Sequence, residues 1–76
     1  MLYTRSSFIK WLTKVKGCKV YPRKTNPNVL VVENGIAKAN MWVNSKDLID
    51  YEEIFILCTK IYIDGLPGDS DLIKVE

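Results

Sequence analysis

The stretch VLVVENGIAKANMWV, residues 29–43, sets the fold of this 76-residue chain. Residues 29–32 are strong strand formers, and Asn34-Gly35 supplies two residues that tolerate the positive φ angles of a tight hairpin turn. Residues 36–43 then return as a second strand. Because side chains alternate between the faces of a strand, this return predicts an apolar face and a second, mixed face. The apolar face holds Ala37, Ala39, Met41 and Val43, and the mixed face holds Ile36, Lys38, Asn40 and Trp42.

An earlier run with the same alternation predicts a third strand. Pro22 lacks a backbone donor and therefore favours an edge position in the sheet. Residues 24–28 are rich in turn formers and predict a loop between this strand and the hairpin. The run places Cys18 and Val20 on one face and Lys19, Tyr21 and Arg23 on the other.

A helix is predicted before this strand. Ser6 or Ser7 can cap its beginning, and Gly17 can end it. Lysines fall away from much of its apolar side, which favours a solvated outer face. The apolar stripe at helical spacing consists of Phe8, Ile9, Trp11, Leu12 and Val15.

A second helix is predicted after the hairpin. Residues 44–49 form a connection, and Asp50 with Glu53 resembles the capping box that begins a helix. Gly65 is placed to end it, and residues 71–75 are compatible with a short strand, a helical turn or a loose tail. The helical stripe consists of Tyr51, Ile54, Phe55, Leu57, Cys58, Ile61 and Tyr62.

These elements predict an α+β fold in the order helix, three antiparallel strands, helix. Two amphipathic helices can cover one face of the sheet and leave the other face free. The length suits a single domain, residues 1–76, in which residues 69–76 are a loose tail or contribute a short C-terminal strand.

The composition argues against several classes of protein. The chain starts without an apolar signal region, and no apolar run approaches the roughly 20 residues of a membrane span, so we expect a cytoplasmic protein without a membrane partner. Cys18 and Cys58 stand among apolar neighbours and are expected to be reduced and buried. The chain contains no His, the usual general base near neutral pH and the commonest transition-metal ligand. We therefore predict no catalytic constellation, no metal site and no cofactor.

Charge is sorted along the chain. Residues 1–46 contain nine Lys and Arg and one acid, whereas residues 47–76 contain two Lys and eight acids. Several of the acids suit a helix N-terminus, but the basic excess has no comparable local explanation. If the strand phases hold, cations and aromatic side chains share the free sheet face, which suits phosphate contacts and base stacking. The predicted nucleic-acid-binding residues, with RNA favoured over DNA, are Lys10, Lys14, Lys19, Tyr21, Arg23, Lys24, Lys38 and Trp42.

The same free face also suits a protein partner. A face that carries Tyr21, Ile36 and Trp42 is what a homodimer, or an inhibitor docked on another protein, would bury. Trp42 does not separate the two interpretations, because aromatic residues are enriched in protein interfaces and in single-stranded nucleic-acid platforms alike. The sequence therefore predicts a binding module for nucleic acid or, alternatively, for protein.

The chain resembles the small HicA mRNA-interferase toxins and, in its order of elements, the double-stranded-RNA-binding domains. Its first helix, followed by Gly17-Cys18-Lys19-Val20, is similar to the HicA opening. Residues 39–43, 54–61 and 65–66 are similar to the strand, connection and final helix of that family. HicA toxins carry a catalytic His early in the second strand, where this chain has Thr25-Asn26-Pro27-Asn28-Val29. The resemblance therefore implies a HicA-like scaffold that keeps an RNA-binding or partner-binding role without that ribonuclease mechanism.

The second helix departs from the double-stranded-RNA-binding pattern. It begins with Asp50, Glu52 and Glu53, where those domains place a lysine-rich phosphate clamp. Any RNA contact is therefore expected on another face. A residual ribonuclease activity rests on the resemblance of fold alone.

Overall fold

A computed structural model describes residues 1–75 and contains two helices and two three-stranded antiparallel sheets. The predicted α+β class is confirmed. The main sheet has the strand order β2-β3-β4 and the small sheet has the order β5-β1-β6. The elements are β1 (Leu2–Thr4), α1 (Arg5–Lys14), β2 (Lys19–Arg23), β3 (Asn26–Asn34), β4 (Ala37–Trp42), β5 (Leu48–Asp50), α2 (Tyr51–Lys60) and β6 (Lys74–Val75).

The central hairpin forms as predicted, but its turn is shifted by one residue. Asn34 pairs with Ala37, so the two-residue loop is Gly35-Ile36 and not Asn34-Gly35. Gly35 has a φ of 63°, and glycine at the first loop position is typical of a type II′ turn. The Asn34 side chain instead donates a hydrogen bond to the Ile61 carbonyl at 2.7 Å. This bond ties the hairpin to the end of α2. Ile36 accordingly lies in the turn and not on the free sheet face.

The loop predicted before the hairpin is shorter than expected. The strand β3 begins at Asn26, which leaves Lys24-Thr25 as the turn between β2 and β3. The register between these strands shifts at Pro22 and Arg23, so the ladder is irregular near the edge proline. The Asn26 side chain accepts a hydrogen bond from the Asn28 N–H at 3.0 Å, which supports the backbone at this irregular point.

The small sheet was not predicted. Its central strand β1 pairs with β5, a segment predicted to be a connection, and with the C-terminal strand β6. Of the three structures considered for residues 71–75, the short strand is the one that forms, as β6. Leu72, just before this strand, is buried in the core. Tyr3 of β1 is buried, and its ring centroid lies 5.9 Å from that of Tyr51. Glu76, the last residue of the predicted tail, lies outside the described residues.

The first helix is capped by different residues from those predicted. Thr4 is the N-cap of α1, and its hydroxyl accepts the Ser7 N–H at 3.3 Å. Asp47 accepts the Ser6 N–H at 3.1 Å and the Ser6 hydroxyl at 2.8 Å. The prediction of Ser6 or Ser7 as the cap was wrong because a carboxylate distant in the sequence binds this helix end. Gly17, with a φ of 69°, does follow the helix and reverses the chain as predicted.

The second helix begins as predicted and ends earlier. The Asp50 carboxylate accepts the Glu52 N–H at 2.9 Å, which confirms Asp50 as the cap. The bond goes to Glu52 and not to Glu53 of the predicted capping box. The helix ends at Lys60, whereas the sequence pattern extends it towards Gly65. Tyr62 adopts a φ of 57°, a left-handed conformation that cannot continue a helix.

One hydrophobic core joins both helices to one face of the main sheet. The two cysteines are buried and free within it, as predicted. In residues 1–75, neither helix is long and apolar enough to cross a membrane. The core residues are Tyr3, Phe8, Trp11, Leu12, Cys18, Val32, Ala39, Met41, Ile49, Ile54, Leu57, Cys58, Ile61 and Leu72.

Candidate nucleic-acid interface

The main sheet has a covered face and an open face. Val20, Val32, Ala39 and Met41 belong to or pack against the core and form the covered face. Their neighbours along each strand point the opposite way, because side chains alternate in a strand. We call this second side the open face, and it consists of Lys19, Tyr21, Arg23, Val29, Val31, Glu33, Lys38, Asn40 and Trp42.

The strand register brings the open-face residues into rows across the sheet. One row is Lys19, Glu33 and Lys38, and the next is Tyr21, Val31 and Asn40. Directly opposite residues of antiparallel strands are close enough for their side chains to interact. A third row pairs Val29, which is 3% exposed, with Trp42, which is 71% exposed. The open face therefore has a charged row, a row with the phenol of Tyr21 and the amide of Asn40, and a row with the indole of Trp42.

A hollow of about 390 Å³ lies near the centre of the open face. Two cations, Arg23 and Lys38, and the phenol of Tyr21 border it. Val31, Ala39 and Asn40 complete the lining, and none of the three was among the predicted site residues. The alternation that placed Lys38 and Trp42 on this face places Asn40 between them, so the sequence did contain the signal for it.

Glu33 is an acid within this basic surface. It lies between Lys19 and Lys38 in the ladder, and the Tyr21 hydroxyl donates a hydrogen bond to its carboxylate. This hydrogen bond raises the pKa of Tyr21 above its ordinary value. Tyr21 is thereby held by its hydroxyl while its ring stays accessible.

The predicted site residues do not all come together. Lys19, Tyr21, Arg23, Lys38 and Trp42 share the open face. Lys24 lies in the turn next to Arg23, at the border of that face.

Two of the predicted residues lie elsewhere, on α1. Lys10 and Lys14 are exposed there and line a different hollow beside Asp71 and Ile73. The helix α1 packs on the covered face, so these two lysines are separated from the open face by the thickness of the sheet.

One further cation of residues 1–46, Arg5, has a structural role. Arg5 is only 4% exposed, and its guanidinium donates a hydrogen bond to the Asn44 side-chain oxygen at 2.8 Å. It also lies 3.5 Å from the Asp47 carboxylate and 3.4 Å from the Leu48 carbonyl. Arg5 thus fastens the loop between β4 and β5 to the start of α1.

Lys16 has a comparable structural role at the other end of α1. Its ammonium group donates to the Asp64 carbonyl at 2.5 Å and lies 5.5 Å from the centre of the Trp11 ring. A cation over an aromatic face is attracted by the ring quadrupole. The cations of residues 1–46 are therefore divided among structural positions, the exposed side of α1 and the open face. Composition alone does not show this division.

Comparison of the chain with protein-family models, with curated proteins and with solved structures gave no match. The resemblance to HicA toxins and to double-stranded-RNA-binding domains therefore stays a prediction.

Proposed function

We propose that this protein is a binding module for single-stranded nucleic acid, with RNA favoured over DNA, and that the open face is its binding surface. The observation that supports the proposal is that three cations and two exposed aromatic side chains lie on one uncovered sheet face. Proteins that bind single strands combine cations for the backbone with aromatic platforms for the bases.

Each open-face residue has a role in this proposal. Arg23 and Lys38 contact phosphates around the central hollow. Lys19 contacts a phosphate at the start of β2, and Lys24 extends the basic track beyond the end of that strand. Trp42 provides the most exposed aromatic surface of this face and stacks on a base. Stacking of a base on an aromatic side chain contributes about 1–3 kcal/mol and tolerates any base, so little sequence preference is expected.

The dependence of binding on salt tests this proposal. Four phosphate contacts to a single strand give a slope of about −3 for the logarithm of the association constant against the logarithm of salt concentration. We expect fluorescence anisotropy with labelled RNA and DNA oligonucleotides to show such a slope. Lys38→Ala should make the slope shallower by about 0.7, because one contact is lost.

Lys14→Ala is the matched control. It removes the same charge from the exposed side of α1, beyond the covered face, and the slope should stay close to that of the wild type. If neither RNA nor DNA binds at low ionic strength, the proposal is wrong and a protein partner becomes the better interpretation of the open face. Equal effects of the two lysine variants would also contradict it, since the binding surface would then not be the open face.

A further inference from the structure

The two edges of the main sheet differ in their capacity to pair with another strand. The β2 edge carries Pro22, and its ladder is irregular at Pro22 and Arg23. Proline and bulges are devices that prevent pairing at an edge. The strand β4 contains no proline, and all of its residues from Ala37 to Trp42 pair regularly with β3. Its outer side therefore presents a straight edge that can extend the sheet.

The backbone groups that face outward on β4 can be identified. The Val43 N–H donates to the Asn28 carbonyl at 2.8 Å, so the backbone of Val43 faces β3. Orientation alternates along an antiparallel ladder, so Lys38, Asn40 and Trp42 direct their N–H and C=O groups away from β3. Within residues 1–75 no other strand pairs with this side of β4.

A groove of about 280 Å³ runs beside this edge, between β4 and α2. Its lining is apolar in the middle, with Ile56 and Leu57 of α2, and charged towards both ends of the helix, with Glu53 and Lys60. The bond from Asn34 to the Ile61 carbonyl places the end of α2 near the start of β4. The helix therefore runs antiparallel to β4, with Glu53 near the end of the strand and Lys60 near its start.

Within the described residues, the charged groups of this groove form no ion pair. The ion pairs among residues 1–75 join the Met1 amino group to Asp50 and Arg5 to Asp47. Glu53 and Lys60 are exposed and lie at equal distances along α2 from the midpoint between Ile56 and Leu57. A twofold axis through that midpoint would bring each of the two charges opposite its counterpart in a second copy.

We propose that a second copy of this chain occupies the β4 edge and the groove, with the two β4 strands antiparallel about an axis at Asn40. The outward backbone groups of Asn40 then bond to those of Asn40 in the second copy. On the open face, Lys38 lies opposite Trp42 of the second copy, a favourable cation–aromatic pair. Along α2, Glu53 faces Lys60 of the second copy, and Ile56 packs near the axis.

Two pairs of side-chain positions select a second copy as the occupant, and the outward backbone groups of β4 allow it to pair. One twofold rotation places the outward groups of β4 opposite the same groups of the second copy. It also places Lys38 opposite Trp42 and Glu53 opposite Lys60. A peptide that bound only through its backbone would use the edge but would leave Glu53 and Lys60 without partners. The dimer forms one six-stranded sheet whose two open faces lie on the same side. It goes beyond the proposed nucleic-acid binding and does not depend on it.

Sedimentation equilibrium in the absence of nucleic acid tests the dimer. We expect a monomer–dimer equilibrium for the wild type. Glu53→Lys or Lys60→Glu alone should raise the dissociation constant about tenfold, because each replaces two attractive pairs by two repulsive ones. The double variant should restore the wild-type value. Glu52→Lys is the matched control, since Glu52 is exposed on α2 and does not line the groove.

Asn40→Pro tests the strand pairing. Its N–H faces outward, so proline removes the two central bonds of the dimer and leaves the pairing with β3 intact. We expect a monomer with a wild-type circular dichroism spectrum. A wild type that is monomeric at its highest soluble concentration overturns the proposal. A dimer that the charge reversals leave unchanged overturns it too, because the copies would then meet elsewhere. These results test the dimer alone. Because Lys38 and Trp42 serve both proposals, nucleic-acid binding is measured separately by the salt titration.

Discussion

The two faces of the main sheet are built from the same strands and serve opposite purposes. Val32 on the covered face is fully buried among the side chains of both helices, whereas its chain neighbour Val31 lies on the open face beside Tyr21 and Asn40. Burial of apolar area stabilises the fold mainly from the covered face, because Val29 is the buried apolar residue of the open face. The rest of the open face is free to carry charge. Substitutions on the covered face should therefore change stability, and substitutions on the open face should change binding.

The sharpest test of this comparison is an aspartate at each of the two neighbouring valines. Val32→Asp buries a carboxylate without a partner and should cost more than about 4 kcal/mol, enough to unfold a domain of this size. Val31→Asp should leave the chain folded and weaken nucleic-acid binding by adding negative charge to the open face. Circular dichroism and urea unfolding measure both outcomes. If the two variants were equally destabilised, the assignment of the faces would be wrong.

A second test concerns a cation that belongs to neither face. Arg5→Ala should lower the free energy of unfolding by about 2–3 kcal/mol, because it removes the hydrogen bonds to Asn44 and the pairing with Asp47. Lys24→Ala removes the same charge from an exposed turn and should change stability by less than about 0.5 kcal/mol. Urea unfolding distinguishes the two, and equal losses would mean that Arg5 is not structural.

The main sheet was predictable because its information is local. The alternation in residues 18–23 and 36–43 reports directly which side chains share a face, and burial of one face fixes the register. The turn was misplaced by one residue because Asn34 bonds to Ile61, a contact that no local pattern contains. The small sheet escaped prediction since its strands are two or three residues long, too short to alternate, and β1 pairs with β5 and β6 far along the chain.

The candidate site was predictable to the extent that it follows strand phase. Lys19, Tyr21, Lys38 and Trp42 lie where alternation put them, and Asn40 follows from the same rule. Lys10 and Lys14 do not join them, because the side of the sheet on which a helix packs is a tertiary property. The structural role of Arg5 likewise depends on Asn44, which folding brings next to it.

An alkaline titration compares a buried titratable group with an exposed one. Burial raises the pKa of Cys58 to about 11, so the unfolded chain loses this proton at lower pH than the folded chain. Because the pKa of Cys58 is higher in the folded chain, the protonated thiol stabilises the fold fully below the unfolded pKa of 9.0. This contribution is lost as the pH rises to about 11. The loss should reach roughly 2 kcal/mol, and Cys58→Ala should remove that part of the pH dependence.

The control for this titration lies on the open face. Tyr21 also has a raised pKa, caused by its hydrogen bond to Glu33, but it is exposed, and Tyr21→Phe should change the alkaline slope far less. Tyr3 and Cys18 also have raised pKa values and contribute to the alkaline loss of stability. The alkaline slope of each variant is therefore compared with that of the wild type. A slope that Cys58→Ala leaves unchanged would contradict burial of this thiol in the folded chain.

Trp42→Ala should have the smallest effect on stability and a clear effect on binding. The side chain is 71% exposed, so its loss should cost less than about 1 kcal/mol in urea unfolding. Affinity for single-stranded RNA should fall about tenfold, because a stacking contact is lost, while the slope of affinity against salt stays unchanged. Trp42→Phe should keep most of the affinity, since it keeps an aromatic surface at this position. A change in the salt slope would show that Trp42 acts by positioning Lys38 and not by stacking on a base.

Dimer formation must be measured for the same variants, because Lys38 and Trp42 also meet across the proposed axis. If affinity falls while the dissociation constant of the dimer is unchanged, the loss belongs to the open face alone.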